Sequence, residues 1–322
     1  MHIKPWALAL AVTCAGLCLA TAAADDYPSR PVRLVVGFAA GGPTDILARV
    51  MAQHLSQRLG QQVIVENKPG ATGNTATESV INAAPDGYTV LVVATANAIN
   101  TTYYRKLPFD FIRDIVPVAG LGRISYVMAV HPSVPATSVA ELIAYAKANP
   151  GKINFASGGP GASNHLAGEM FKTMTGTDIV HVPYRGNAAA YADLLSGRVQ
   201  LIFADLGSSL PHVKAGALRG IAVTSRAPLP ALPGVPTVAE TVPGYEASAW
   251  YGFGVPKATP AVAVDRLNRE INAALADPTL LARFRELDAE PLVFAPGEFA
   301  AFIATEAKRW GQAVEVSGVR GD

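Results

Sequence analysis

Twice in this chain, a short apolar run ends in a glycine-rich, nearly uncharged loop that leads into a helical pattern. The first run spans residues 32–38 and is followed by the loop at residues 39–45. The second run spans residues 153–156 and is followed by the loop at residues 157–165. A loop of this kind can direct backbone N–H groups at an anion from the N-terminus of a helix. Two such loops, far apart in the chain, indicate two lobes that hold one small anion between them.

Strand-like and helix-like segments alternate along most of the chain, which predicts an α/β fold. In the first part, three apolar runs read as strands and two segments between them as helices: residues 32–38, 63–66 and 89–94, and residues 44–59 and 75–84. This order predicts a parallel sheet with helices on both faces. The alternation restarts after about residue 125. Three helices that start at prolines end the chain, at residues 260–276, 278–287 and 296–316.

The N-terminus has the features of a secretory signal peptide. Lys4 precedes an apolar run at residues 6–20, and the alanines at 22–24 fit the small-residue cleavage site of such signals. Cleavage there leaves 322 − 24 = 298 residues, and both cysteines, Cys14 and Cys18, lie in the removed segment. We therefore expect an exported, periplasmic protein whose mature chain uses neither disulfides nor thiolates.

The charge balance argues against nucleic acid as a partner. The chain has 26 lysines and arginines and 25 aspartates and glutamates, a formal net charge of +1 at pH 7. A near-neutral chain offers no electrostatic basis for binding nucleic acid or an anionic membrane. Half of the residues are hydrophobic, which is enough for one large core or two ordinary ones. No apolar run after the signal approaches the roughly 18 residues of a membrane span.

The first glycine-rich loop offers backbone donors at the start of a helix. Pro43 is expected at the first helical position, where its missing N–H costs nothing, so the amides of Thr44 and Asp45 would point into the cleft, with the Thr44 hydroxyl as a further donor. Asp45 reads as a structural acid that pairs with Arg49 and turns away from the ligand. Gly42 is expected to allow close backbone approach or an unusual φ. The alternative is a helix cap that binds nothing, since no phosphate-binding fingerprint is present.

The second loop carries hydroxyl and imidazole groups but no catalytic pattern. Ser157 and Ser163 flank it, and His165 follows two residues after Ser163. A nucleophilic serine would need a G-x-S-x-G turn, but Phe155 occupies the first glycine position. A capping or ligand-binding role is therefore favoured over catalysis. The histidines of the mature chain show no metal-ligand spacing, so neither a metal nor a cofactor is expected.

Further polar groups follow other predicted strands. Thr95 and Asn97 follow the third strand of the first part, Tyr184 and Arg185 follow a strand of the second part, and Asp205 follows another. Loops at the carboxyl ends of parallel strands are where such folds bind ligands. Arg185 is the only cation in these segments, and it is either a carboxylate clamp or a surface residue.

Taken in order, these segments resemble the Bug family, the periplasmic solute-binding proteins of tripartite tricarboxylate transporters. The resemblance covers essentially the whole mature chain. It is carried by motifs that are weak singly and specific as an ordered set: residues 27–31 (YPSRP), 41–49 (GGPTDILAR), 65–71 (VENKPGA), 85–89 (PDGYT), 156–158 (ASG), 165–167 (HLA), 181–186 (HVPYRG), 233–237 (PGVPT), Glu240 and Trp250.

The resemblance implies a two-lobed periplasmic-binding-protein fold, or Venus flytrap, with a mainly parallel sheet flanked by helices in each lobe. Residues 25–127 and 249–322 would form the first lobe and 128–248 the second, joined by two crossovers. The ligand would be a small carboxylated solute bound by backbone amides of both loops. The expected ligand-binding residues lie in the loops and strand ends described above: Phe38, Ala39, Gly41, Gly42, Pro43, Thr44, Asp45, Thr95, Asn97, Ser157, Gly158, Ser163, Asn164, His165, Tyr184 and Asp205.

The favoured function is capture of this solute and its delivery to membrane transporter subunits, and two alternatives stay open. The same fold could serve as a ligand-sensing co-receptor for a sensor kinase. An exported hydrolase could use Ser163 or His165 with Asp205, although the sequence shows no positioned base. Ala204-Asp205 stands where a reversed acidic–amide pair is more usual in the family. Backbone amides do not specify the solute, so di- and tricarboxylates, acidic amino acids and aromatic acids are all candidates.

Overall fold

The computed structural model describes residues 27–321. The predicted signal peptide at residues 1–24, with both cysteines, lies outside the described residues. The strands are β1 (Val32–Val36), β2 (Val63–Asn67), β3 (Thr89–Ala94), β4 (Ile115–Val130), β5 (Asn154–Ser157), β6 (Val180–Pro183), β7 (Leu201–Asp205), β8 (Arg219–Val223), β9 (Ser248–Pro256) and β10 (Ala289–Pro291). The α-helices are α1 (Pro43–Leu59), α2 (Asn74–Ile81), α3 (Thr95–Tyr103), α4 (Phe111–Asp114), α5 (Val139–Ala148), α6 (Ser163–Thr175), α7 (Asn187–Leu195), α8 (Leu206–Lys214), α9 (Ala261–Leu275), α10 (Pro278–Glu286) and α11 (Pro296–Ser317).

One mixed sheet runs through both halves of the molecule, in the order β2-β1-β3-β9-β4-β7-β5-β6, with β8 and β10 paired to β4. The strands β2, β1 and β3 are parallel to one another, and so are β7, β5 and β6. All six residues of β3 are buried, as expected for a strand covered by helices on both faces. The sequence-based prediction of an α/β fold is confirmed, with three parallel strands in each half, but the antiparallel strands β4 and β9 join them into one mixed sheet rather than two mainly parallel ones.

The two halves are joined by the long antiparallel strands β4 and β9. Strand β4 is 16 residues long. Its first part pairs with β9, ending at Ser125 opposite Ser248. Its last five residues pair with β7 in the other half, starting at Tyr126 opposite Asp205. One continuous strand therefore changes sheets between Ser125 and Tyr126, and side chains from the joining strands lie between the lobes.

Three local differences separate the prediction from the structure. Residues 95–103 form the helix α3, although only a polar strand end was expected there. Helix α8 begins at Leu206, directly after the strand end at which only a polar group was expected, and the Asp205 side chain caps it by accepting a hydrogen bond from the Ser208 N–H. The strands β4 and β9 were not assigned from the sequence, since glycines, a proline and Arg123 interrupt the apolar pattern of β4.

The C-terminal helices pack against the first half of the chain. The Arg58 Nε atom of α1 lies 3.2 Å from a carboxylate oxygen of Glu270 on α9. The Asn268 side chain donates to the Val118 carbonyl oxygen at 2.8 Å, and Arg320 donates to the Thr102 carbonyl oxygen. No helix among residues 27–321 has the length and apolar character needed to cross a membrane.

A buried carboxylate, Glu306 on α11, holds this packing together. One of its oxygens accepts hydrogen bonds from the indole N–H of Trp250 at 2.7 Å and of Trp310 at 3.1 Å. Arg309 donates to both carboxylate oxygens at 2.9 Å. Trp250 and Trp310 are the largest of the fully buried side chains. Glu306 therefore ties β9 to the last helix and satisfies two indole donors that water cannot reach.

We expect Glu306→Gln to lower the free energy of unfolding by about 2 kcal/mol, because hydrogen bonds to a charged acceptor become bonds to a neutral amide. Urea unfolding followed by tryptophan fluorescence measures the change. Glu315→Gln is the matched control, since Glu315 is an exposed residue on the same helix. Equal stabilities of the two variants would contradict the assigned role of Glu306.

Candidate functional site

The N-terminus of α1 has backbone donors that the helix itself cannot use. Gly42 is the N-cap residue and makes no side-chain cap hydrogen bond, and Pro43 follows it as the first helical residue. The first intrahelical bond runs from the Ile46 N–H to the Gly42 carbonyl oxygen. The N–H groups of Thr44 and Asp45 precede that bond and have no acceptor within the helix. The helix dipole adds partial positive charge at the same place.

The Asp45 carboxylate is fully engaged by neighbouring donors beside this helix end. One of its oxygens accepts hydrogen bonds from the Gly41 N–H and from Arg49 Nε, both at 2.9 Å. The other accepts from the Asn67 amide at 2.9 Å. Burial by itself raises the pKa of Asp45, but these hydrogen bonds outweigh it and hold the pKa below its usual value. The expected Asp45–Arg49 pair is present, and the N–H of Gly41, an expected ligand-binding residue, is occupied by Asp45.

The glycine with an unusual backbone conformation is Gly41, not Gly42. Gly41 has φ of 83°, in the region that favours glycine, whereas Gly42 is extended with φ of −81°. The expectation of an unusual φ at Gly42 is therefore wrong, since the turn is made one residue earlier. A Cβ on Gly42 would meet only the Ala39 carbonyl oxygen, at an ordinary 3.5 Å. This position is thus open towards the space in front of α1.

The second loop satisfies most of its own backbone donors. The Gly158 N–H donates to the Asn164 side-chain oxygen at 3.3 Å, the Gly159 N–H to Ser157 Oγ at 3.1 Å and the Gly161 N–H to His165 Nδ1 at 3.1 Å. Pro160 has no N–H. The donors left for an anion are therefore those of the first turn of α6, which starts after Ala162 without a side-chain cap.

Two stacked imidazole rings make hydrogen bonds to residues of this loop. The rings of His165 and His181 lie 3.7 Å apart, centroid to centroid. Burial lowers the pKa of His165 to about 3, with His181 as a further cause, and burial lowers the pKa of His181 to about 4. Both rings are therefore neutral near pH 7. Because neutral His165 keeps Nδ1 as an acceptor, it can receive the Gly161 N–H.

The serines of the second loop are not arranged for nucleophilic catalysis. Ser157 Oγ lies 2.6 Å from His181 Nε2, but Ser157 is fully buried. The Ser163 hydroxyl pairs with the Tyr126 hydroxyl at 2.6 Å, while His165 Nδ1 is occupied by Gly161. The Ser163–His165–Asp205 arrangement considered for a hydrolase is therefore not assembled. Within residues 27–321, no group of three or more His, Cys, Asp or Glu residues could hold a metal ion.

Two tyrosines on the joining strands lie beside the two helix N-termini, and neither was predicted from the sequence. The Tyr126 hydroxyl pairs with Ser163, the first residue of α6. The buried Tyr251 hydroxyl lies near the side chain of Thr44 on α1, which acts on the pKa of Tyr251. Burial raises the pKa of Tyr251, and the neighbouring Tyr126 raises it further, so the two hydroxyl groups lie within electrostatic range of each other. The N-termini of α1 and α6 therefore converge on one floor.

A chain of side-chain amides runs along that floor in the second half. Asp205 accepts the Ser208 N–H at 2.9 Å on one oxygen and the Asn187 amide at 3.3 Å on the other. The Asn187 oxygen in turn accepts from the Asn164 amide at 2.8 Å. Asn164 then accepts the Gly158 N–H. Asp205 is thus linked through two amides to the second loop.

Other residues expected at the site have their side chains engaged elsewhere. The Thr95 hydroxyl accepts the Trp250 N–H at 2.7 Å and donates to the Trp250 carbonyl oxygen. The Asn97 side chain accepts the Ala94 N–H and donates to Thr77. The Tyr184 hydroxyl donates to Asp193 at 2.8 Å. Only the backbone of Thr95 and Asn97, at the start of α3, is left to face the cleft.

The remaining expected residues lie at the rims. The Phe38 carbonyl oxygen accepts a hydrogen bond from Asn67, and the Phe38 ring lies against the position that a Cβ on Gly73 would take. Ala39 is exposed beside it, and so is Arg185 on the other side. The exposure of Arg185 favours the surface alternative that the sequence left open.

The loop before α2 is a second feature that sequence reasoning missed. Ala71 and Thr72 have positive φ values of 43° and 52°, which is uncommon for residues other than glycine and marks a constrained turn. The Thr72 hydroxyl reaches the Pro160 carbonyl oxygen of the second loop at 3.4 Å. This loop therefore brings the two halves into contact at the mouth of the cleft. Its sequence, residues 65–71, was a family motif but gave no signal of this contact.

Comparisons with known proteins agree with this geometry. Residues 47–319 match the family described as tripartite tricarboxylate transporter family receptor. The Rhodopseudomonas palustris protein Rpa4515, solved with adipate, is 38% identical, with a TM-score of 0.84 over 91% of this chain and 99% of that one. The periplasmic binding protein BugD is 34% identical, with a TM-score of 0.82 over 92% and 100%. MatC from the same Rhodopseudomonas species, with bound malate, is 29% identical, with a TM-score of 0.80 over 89% and 100%.

The buried histidine pair predicts a pH dependence of stability. Since the unfolded chain binds a proton at His165 below about pH 6.5 and the folded chain does not, this stabilisation is complete above pH 6.5 and is lost as the pH falls towards the folded pKa of about 3. We expect the destabilisation caused by His165→Asn to be smaller at pH 4.5 than at pH 7, by about 2 kcal/mol.

Urea unfolding of the wild type and His165→Asn at several pH values measures this difference. Asparagine can still accept the Gly161 N–H but does not titrate. Burial raises the pKa of the neighbouring Glu169, which acts in the opposite direction in both proteins, so the difference between them reports the histidine. A difference that is constant from pH 4.5 to pH 7 would contradict the neutral buried state of His165.

Proposed function

The chain belongs to the tripartite tricarboxylate transporter receptor family, the Bug family, and from this premise we propose how it holds its solute. It is a periplasmic solute-binding protein that captures a small carboxylated organic solute for a tripartite tricarboxylate-type membrane transporter, and it is not an enzyme. We propose that the solute carboxylate binds between the N-termini of α1 and α6. The observation that supports this site is the convergence of two helix N-termini without side-chain caps on the Tyr126–Tyr251 floor.

The donors at this place suit a carboxylate. Each helix end presents first-turn N–H groups, which hydrogen-bond an anion while the helix dipole stabilises its charge. A hydrogen bond to a charged partner contributes about 1.5–3 kcal/mol, so two or three of them account for specific binding without a lysine or arginine. The Ser163 hydroxyl, which pairs with Tyr126, and the Thr44 hydroxyl, near Tyr251, belong to the same first turns. Rpa4515 with adipate and MatC with malate are relatives solved with carboxylates, which supports the same class here.

We propose that the lobes move about the joining strands. Residues 25–127 and 249–322 would form one body and 128–248 the other, because β4 changes sheets between Ser125 and Tyr126. The Thr72–Pro160 contact at the cleft mouth would form on closure. We further propose that residues 1–24 are the signal that exports the chain. The sensor-kinase alternative receives no support from the family or its solved relatives.

The function is tested by a thermal-shift screen of mono-, di- and tricarboxylates and acidic and aromatic amino acids. We expect at least one acid to raise the unfolding midpoint, since binding to the native state stabilises it. Saturation with that acid should also reduce the radius of gyration measured by small-angle scattering, because ligand favours the closed state. No shift with any acid, or an unchanged scattering profile at saturation, would count against the proposal.

The α1 half of the site is tested by Gly42→Val. The extended backbone and free Cβ position of Gly42 accommodate valine, while its isopropyl group would crowd a carboxylate in front of the helix. We expect the affinity for the best acid of the screen to fall at least about tenfold, or 1.4 kcal/mol, with an unchanged circular dichroism spectrum.

The matched control for this variant is Gly297→Val. Gly297, like Gly42, is next to the first proline of a helix, and a Cβ there meets nothing within 4 Å, but it lies at the start of α11 outside the cleft. We expect wild-type affinity from it. Wild-type affinity of Gly42→Val as well would mean that the carboxylate does not bind at α1.

A further inference from the structure

Asp205 lies on the cleft floor beside both helix N-termini. It pairs directly with Tyr126 across β4 and β7, and paired residues of antiparallel strands have Cβ atoms about 4.5–5.5 Å apart. Tyr126 reaches Ser163 at the start of α6. The charge of Asp205 also acts on Tyr251, and so does the side chain of Thr44 on α1, so all three lie near one another. A solute held between the two helix ends is therefore close to this carboxylate.

The Asp205 carboxylate has acceptor capacity left over. It receives one hydrogen bond on each oxygen, from the Ser208 N–H and from the Asn187 amide. An ionised carboxylate can accept about four. No salt bridge within residues 27–321 involves Asp205. The floor of the cleft thus carries a negative charge that no cation of the described chain neutralises by direct contact.

The hydrogen bonds of the amide chain next to Asp205 can run from donor to acceptor in only one direction. A carboxylate only accepts, so Asn187 must turn its N–H₂ towards Asp205 and its oxygen towards Asn164. Asn164 then presents its oxygen to the Gly158 N–H. The polarity of the second loop is therefore set from Asp205, and each Asp205 oxygen keeps room for a further donor.

We propose that Asp205 makes this protein select carboxylates that carry a hydroxyl or ammonium group near the bound carboxylate. This inference rests on the proposed site between α1 and α6. The solute group donates a hydrogen bond to Asp205, and an ammonium group also neutralises its charge. An unsubstituted acid leaves the charge unpaired, and a second carboxylate placed next to it is repelled. Asp205 is thus a specificity-determining residue.

The test compares three acids that share one carbon skeleton and differ only at C2. For the skeleton that binds best in the screen, the unsubstituted, 2-hydroxy and 2-amino acids are measured by isothermal titration calorimetry; succinate, malate and aspartate are one such set. We expect the wild type to bind a donor-bearing acid at least about tenfold more tightly than the unsubstituted acid, as for a hydrogen bond to a charged group.

Asp205→Asn separates direct contact from a supporting role. Asparagine is as good an N-cap as aspartate, so α8 should keep its start. We expect this variant to lose about tenfold in the preference for the donor-bearing acid while it binds the unsubstituted acid at least as well as the wild type. A residue that only supports the loop would lower the affinity for all three acids equally. Asp178→Asn removes the same charge at an exposed position beside the amino end of β6 and should leave the preference unchanged.

Each outcome decides between the two proposals. If acids bind but the unsubstituted member binds as tightly as the others, or if Asp205→Asn keeps the wild-type preference, the inference about Asp205 is wrong and the proposed function stands. If no acid of the screen binds, the proposed function itself fails.

Discussion

The first turn of a helix has N–H groups with no acceptor inside the helix, and this structure leaves two such turns open towards one space. Most other polar groups near the cleft bond to one another, so the N–H groups of those two turns stay free. Asp45 uses Arg49, Asn67 and the Gly41 amide, so its charge is compensated by its neighbours. In the second loop, Asn164, Ser157 and His165 occupy the loop amides. The donors that remain belong to the first turns of α1 and α6, where the helix dipoles concentrate positive potential.

The joining strands give these helix ends a common floor. Tyr126 lies where β4 leaves one sheet and enters the other, and Tyr251 lies on the neighbouring strand β9. The Tyr126 hydroxyl pairs with Ser163 on α6, and the Tyr251 hydroxyl lies near Thr44 on α1, so the strands that connect the lobes also lie beside the first turns of both helices. The Glu306 cluster anchors β9 to the last helix through Trp250. The same two strands connect the lobes and form the floor of the cleft. Any rotation of the lobes therefore changes the distance between the two helix ends.

The sequence predicted what depends on local order along the chain. The two strand–loop–helix units, the uncapped start at Pro43 and the Asp45–Arg49 pair involve residues within a few positions of each other. The tyrosine floor was missed because Tyr126 and Ser163 are 37 residues apart, and no periodicity relates them. The sequence indicated only one member of the histidine stack. His165 stands at a helix start, whereas His181 comes from strand β6. Helix α3 was missed because the side chains of Thr95 and Asn97 are held by Trp250 and Thr77, distant partners that the sequence alone does not place.

Recognition by backbone amides has a consequence for selectivity. An amide donor does not sense the rest of a solute beyond its carboxylate. Different members of a family can therefore share the amide site and differ in the residues of the cleft floor. Such an anchor also requires that the side chains that support the loop stay uncharged, so that the loop keeps its hydrogen bonds. Protonation of His165 at Nδ1 would replace the acceptor of the Gly161 N–H by a second donor and reorganise the loop. Burial against His181 disfavours that state by lowering the pKa of both rings. The charge that remains in the floor is then the one on Asp205, and it is free to distinguish solutes by the group they present to it.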